Sequence, residues 1–237
     1  MMVFKLLNTG LMDLLNPVRC CWCENLISHA DNGICKLCLS ELTGKTVYSN
    51  IIQEDEPGSN SMGNREWYLN ECVSIHSYTD VMEKVIQSIK YDRMISLVPA
   101  ISNIMNETIC IKRWGIDGIV PVPMKRTKKV KRGFNQSELL SKNISKISTI
   151  PCMNILNEKN YSMIQKSLQI NERFINVLGR FSIKPDNAVI KGKNLLLVDD
   201  VYTTGATLNE CARVLKSHGA DKVYAIVMGD TPRKKIE

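Results

Sequence analysis

No apolar run in these 237 residues approaches the ~18 needed to cross a bilayer, so a membrane-spanning helix is not expected. The mildly apolar N-terminus is interrupted by Asn8, Thr9, Gly10 and Asp13, and no small-residue cleavage site follows, so no secretory signal is read there. A disulfide framework is missing too. Of the nine cysteines, four fall into a spaced metal pattern and the rest are scattered. Without an export signal, a reducing cytoplasm is the expected home. Gly44-Lys45-Thr46 has the end of a nucleotide-binding P-loop but not its beginning. Leu39 stands where the first glycine is required, and no apolar strand precedes it, which excludes ATP binding there. Aromatic residues make up only 6% of the chain, and no side chain stands out as a general base. What is present in excess is positive charge. The net +7 favours anionic partners, whether phosphate, pyrophosphate or nucleic acid, and does not choose among them.

The length suits one domain of moderate size with a small appendage. In residues 1–48, Phe4, Leu7, Leu11, Leu14 and Leu15 can share one helical face that packs on the next module, and Pro17 ends that helix. Cys20-x-x-Cys23 and Cys35-x-x-Cys38 follow, with eleven residues between them. Two such knuckles can supply four thiolates to one tetrahedral Zn2+. Four thiolates leave the ion no open position, so its role is structural. Cys21, inside the first knuckle, competes for a ligand place and leaves the set open. Residues 49–66 are polar, with turns at Pro57-Gly58 and Met62-Gly63, and read as a linker. The main domain is expected over 67–237. It begins with a strand from Cys72 to Tyr78. A helix through Val81, Val85, Ile86 and Ile89 follows, then another through Leu97, Ile101, Ile104 and Met105. Lys90, Tyr91 and Arg93 sit at a junction that can face a site, although a solvated helix end is the commoner reason for such residues. Cys72, Cys110 and Cys152 are expected to be small core residues.

The most informative stretch lies near the other end. Leu195 to Val198 is continuously apolar, as a strand covered on both faces would be. Asp199 and Asp200 come next, then Thr203-Thr204-Gly205-Ala206-Thr207, then a helix marked by Leu208, Cys211, Ala212 and Leu215 and stopped by Gly219. A second apolar run, Val223 to Met228, completes a strand–helix–strand unit. A small-residue loop that opens a helix offers unpaired amides and the positive end of the helix dipole, which suits a phosphate dianion. Gly205 permits close backbone approach. The two acids stand too near to favour the same phosphate and suit vicinal hydroxyls or hydrated Mg2+. Phosphate beside diol describes a ribose 5-phosphate.

A second strand–loop–helix spans 117–147. Asp117 to Pro123 reads as a buried strand running into a stiff turn. Lys125, Arg126, Lys128, Lys129, Lys131 and Arg132 place six cations in eight residues of a loop. Such a run is self-repelling unless an anion is near. Asn135 is a natural N-cap for the helix carrying Leu139, Leu140 and Ile144, with Glu138 completing a capping box. In an open α/β sheet, ligands bind at the C-terminal ends of the strands. One loop is then expected to hold the sugar phosphate and the other the pyrophosphate, with Lys125, Arg126 and above all Arg132 contributing. Ile150 to Leu156 is expected as a further strand.

Val198-Asp199-Asp200-Val201 with Thr203-Thr204-Gly205-Ala206-Thr207 resembles the phosphoribosyl-pyrophosphate (PRPP) loop of type I phosphoribosyltransferases. Together with the cysteine knuckles, Val120-Pro121-Val122-Pro123 and Arg132-Gly133-Phe134-Asn135-Gln136, the order of motifs resembles the ComF (ComFC-like) family over nearly the whole chain. The resemblance implies an α/β, type I phosphoribosyltransferase-like fold, with a central mostly parallel sheet flanked by helices and a small N-terminal zinc-ribbon-like module. In that family the acids hold the ribose hydroxyls and the threonine loop holds the 5-phosphate. The implied chemistry is attack of a nitrogen nucleophile on C1 of PRPP, with Mg2+ and basic side chains neutralising the departing pyrophosphate. Asp199 and Asp200 would stabilise the positive charge that develops on the ring. A flap is implied at 158–172. Gln165, within it, and Arg173, just beyond it, are further candidates, with Arg173 equally suited to pairing that holds a helix. The family is also linked to competence. The rival expectation is therefore a non-catalytic accessory of DNA uptake, which contacts single-stranded DNA or a helicase through the basic run and the zinc module. With only Phe134 close to that run, base stacking is poorly supplied.

Overall fold

A computed structural model describes residues 17–28, 31–44, 49–52, 66–77, 79–159, 177–185 and 190–231. The expected helix through Leu15, the linker from Gln53 to Arg65, residues 160–172 of the expected flap with Gln165, and Arg173 beyond it lie outside the described residues.

The centre is a five-stranded sheet. Its strands are β3 (Ser49–Ile52), β4 (Glu71–Ser77), β5 (Gly118–Pro121), β8 (Leu195–Tyr202) and β9 (Val223–Asp230), in the spatial order β3-β4-β9-β8-β5. β4, β9, β8 and β5 run parallel, and β3 closes one edge antiparallel to β4. Ser49–Ile52, at the head of the expected linker, is thus part of the sheet. β9 as far as Gly229, and β8 at Leu195 to Val198 and Tyr202, are buried because helices cover both faces. One face carries α2 (Asp80–Lys90), α3 (Val98–Lys112) and α5 (Gln136–Ser148), with Ile86, Ile101, Leu140 and Ile144 packed against Leu196, Val198 and Ile226. The other carries α6 (Ala206–Ser217), whose Leu208, Cys211, Ala212 and Leu215 pack against Leu195, Leu197 and Ala225. The alternation along β8 therefore splits its leucines between two cores.

Four expectations change. The strand expected at 195–198 extends through Tyr202, so the two acids lie inside it. The sheet keeps pairing because β9 offers partners as far as Asp230. The basic run is not a loop but a short helix, α4 (Arg126–Arg132), closed by Gly133 at φ +90°. Ile150 to Leu156 forms only a bridge from Cys152 to Ile119. Beyond it, β6 (Leu156–Glu158) pairs with the distant β7 (Phe181–Ile183). The capping box forms by half. Asn135 accepts the Ser137 amide at 3.1 Å, while Glu138 pairs with Lys129 and Lys142, both at 2.8 Å. Cys72 is buried as expected, Cys152 is intermediate, and Cys110 is exposed.

The cysteine module consists of β1 (Val18–Arg19) paired antiparallel with β2 (Leu26–Ile27), and α1 (Lys36–Gly44). Its Ile27, Ile34 and Leu42 share one core with Ile86, Ile89 and Leu97 of the main sheet's helical face. Contact is close at Gly33, where an added Cβ would lie 2.8 Å from the Met94 side chain, and φ is +87°.

Candidate functional site

Because β5 and β8 are parallel neighbours, with Pro121 opposite Val198, the segments leaving them start from the same edge. The Val122 amide continues the ladder by donating to Val198 O at 3.1 Å. Asn135 then donates from Nδ2 to Val122 O at 2.9 Å, which ties the start of α5 back to the exit of β5. That knot brings the junction of α4 and α5 onto the acids. Ser137 Oγ donates to Asp199 Oδ1 at 2.9 Å, and Gln136 Nε2 lies 3.4 Å from Asp200 Oδ2.

The strand–helix turn supplies the second half of the site. Thr203 is exposed, Thr204 and Thr207 are half-buried, and Gly205 and Ala206 are buried. Gly205 is the N-cap of α6 at φ +75°, and no side chain of its own caps the helix. The Ala206 amide reaches Thr204 Oγ1 at 3.4 Å. Such a helix start presents amides and positive dipole to an anion. Gly205 has a second reason to be glycine. An added Cβ would lie 2.6 Å from Tyr202 Oη and 2.7 Å from the Trp67 ring. The expectation of close approach by a ligand's phosphate thus meets an internal packing demand at the same residue.

Between these two segments stand the carboxylates. Asp199 keeps some exposure, but its carboxyl lies deep among protein groups. Burial, and next the Asp200 carboxylate, push Asp199 up to about 7, outweighing the Asp200 amide, the Ser137 hydroxyl and Lys90. An acid raised in the folded state contributes stability that is fully present below about 4 and lost as pH rises through about 7. Melting temperature is therefore expected to fall from about pH 5 to about pH 8, and Asp199→Asn to flatten that fall. An unchanged slope in the variant, followed by calorimetry, would assign the fall to other groups.

Of the two places open to Lys90, a site or a solvated helix end, the structure shows the first: it is ion-paired with Asp200 Oδ2 at 2.7 Å. Its neighbour Tyr91 lies beneath the Arg132 guanidinium, 5.6 Å from the ring centroid. Of the basic run, Lys125 is half-buried at the N-cap of α4, and Arg126 is exposed. Arg132 is half-buried, and Lys129 is occupied by Glu138. No residue of α4 is buried, so its cations are displayed rather than packed.

The four sulfurs of Cys20, Cys23, Cys35 and Cys38 lie within 4.8 Å of one another. Tetrahedral Zn–S bonds of about 2.3 Å place ligand sulfurs about 3.8 Å apart, and Cys23 and Cys35 are 3.8 Å apart. The amides of Cys35 and Cys38 donate to the sulfurs of Cys20 and Cys35, both at 3.4 Å, support that a thiolate set needs. The cluster fits a metal such as zinc. Cys21 lies outside this group of four sulfurs.

The sequence model of the phosphoribosyl transferase domain family matches residues 116–237, and the chain belongs to that family. Its fold is the type I phosphoribosyltransferase-like α/β fold. Among individual proteins it is similar to Competence protein F of Haemophilus influenzae, 26% identical over 214 residues that cover 86% of this chain and 93% of that one. It is likewise similar to Competence protein ComFC of Bacillus subtilis, 27% identical over 209 residues, covering 87% and 82%. Among solved structures, the glutamine PRPP amidotransferase of B. subtilis aligns at 19% identity and a TM-score of 0.41, over 60% of this chain and 30% of that one.

Proposed function

We propose that the protein binds PRPP, or a closely related phosphorylated ribose, at the shared edge of β5 and β8, and transfers the phosphoribosyl group. The observation that carries this reading is the contact of Ser137 with Asp199 at 2.9 Å, which draws the basic segment and the acid pair to one place. Thr203 to Thr207 would take the 5-phosphate on the start of α6. Asp199 and Asp200 would take the ribose hydroxyls. Lys125, Arg126 and Arg132 would face the pyrophosphate. In the transfer, the acceptor's lone pair forms a bond to C1 as the C1–O bond breaks, and the electron pair leaves with pyrophosphate. Fixed amides and cations meet that charge without reorganising, and the acids lie beside the positive ring. Two carboxylates on adjacent residues also suit Mg2+ arriving with the ligand, which would supply further charge neutralisation.

In the cysteine module the ion is zinc and its role is structural. The module, residues 1–48, and the transferase domain, residues 67–237, act as scaffold and site.

PRPP with magnesium at about a hundred times Kd stabilises a binding protein by about 2.7 kcal/mol. For a chain of this size that is a rise in Tm of about 5–10 °C. No rise with PRPP would remove the reading.

A second reading rests on the exposed cations of α4, none of them buried, and on the names of the two competence proteins. On it, α4 holds a single-stranded DNA backbone in DNA uptake, beside a helicase. Such binding would weaken steeply with salt, and Lys128→Ala with Lys129→Ala would flatten that dependence.

A further inference from the structure

We propose that Lys90 is an exchanging cation. It is paired with Asp200 while the site is free and moves to the pyrophosphate when PRPP enters. This rests on the PRPP reading above.

Lys90 Nζ and Gln136 Nε2 converge on one oxygen, Oδ2 of Asp200, at 2.7 and 3.4 Å. A carboxylate held this way has filled an oxygen that a ribose hydroxyl needs. The pair is only about a fifth exposed, 20% for Lys90 and 19% for Asp200. Breaking it with no replacement would strand two poorly solvated charges. The exchange therefore requires a new anion for Lys90 and a new donor for Asp200, and one sugar diphosphate brings both.

Two further observations fit this exchange. Gln136 is only 2% exposed, and its Oε1 has no hydrogen-bond partner among the described residues. A buried acceptor left unpaired beside Asp200 is costly, and the second hydroxyl of a vicinal diol, donating to Oε1 while the first donates to Asp200, would satisfy it. The reverse amide assignment would turn Oε1 onto the carboxylate, which is repulsive. Secondly, Arg132 lies over the ring of Tyr91, the residue after Lys90. The end of α2 thus meets the basic helix that would hold the pyrophosphate. A lysine, as a point charge on a flexible stem, can turn from one partner to the other.

The test is calorimetric titration of Lys90→Met with PRPP and, separately, with ribose 5-phosphate, each with magnesium. PRPP binding is expected to weaken about tenfold or more, as loss of a charged contact implies. Ribose 5-phosphate has no pyrophosphate to lose, and its binding should hold or tighten as Asp200 is freed. Equal loss for both ligands, the mark of a merely structural lysine, would overturn the proposal, as would no loss for either. Lys90→Gln gives the same comparison if the methionine variant does not fold. If the unaltered protein binds neither ligand, the PRPP reading itself falls, independently of how the variants behave.

Discussion

Replacing Cys38 with serine is expected to cost the protein both its metal and its folded state. A structural zinc site contributes on the order of 10 kcal/mol in a small module, against a net stability of about 5–15 kcal/mol for a whole domain. The loss would not stay local. Cys20 and Cys38 are buried in the same core as Ile86, Ile89 and Leu97, so the module and the main sheet share packing. Unaltered protein should carry one zinc per chain by metal analysis, and Cys38→Ser none, with its cooperative melting transition lost. Cys21→Ser is the control. Its sulfur is outside the four-sulfur cluster, so zinc content should be unchanged. A Cys38→Ser variant that melts like the unaltered protein would show that the four sulfurs are packed thiols.

Gly205→Ala is expected to have the second largest effect. The alanine would have to adopt φ +75°, at a cost of about 1–2 kcal/mol. Its Cβ would also meet Tyr202 Oη at 2.6 Å and the Trp67 ring at 2.7 Å. Overpacking of this kind adds about 1–3 kcal/mol. The sum corresponds to a fall in Tm of about 4–20 °C. Relief of the clash would shift the start of α6, so PRPP affinity should fall with it. Gly133→Ala separates strain from clash. Its φ is +90°, but an added Cβ meets nothing within 4 Å, so only the conformational cost of about 1–2 kcal/mol applies. Equal melting temperatures for the two variants would refute the packing argument at Gly205.

Much of this architecture is written in local pattern. Leu195 to Val198 of β8 and Val223 to Met228 of β9 are continuous apolar runs because both faces are covered. α6 shows helical spacing because one of its faces is buried. The spacing of the four cysteines anticipated the sulfur cluster, although only the fold separates Cys21 from it. Other features leave no such trace. α4 has no buried face, so its cations follow no period, and helix looks like loop. β6 finds its partner in β7, more than twenty residues away, through pairing rather than pattern. Lys90 has the surroundings of any helix end until tertiary structure carries that end to Asp200. The turn from Thr203 to Gly205 into α6 was legible, but the fit of Trp67 and Tyr202 against Gly205 was not.

The claim that the segment after β5 and the turn after β8 line one site is tested most directly by displacement. PRPP is bound first, and ribose 5-phosphate and pyrophosphate are then added in separate titrations. A single site that holds the sugar phosphate at Thr203–Thr207 and the pyrophosphate near Arg132 predicts that each competitor alone displaces PRPP. Displacement by ribose 5-phosphate with none by pyrophosphate, at any concentration, would contradict it.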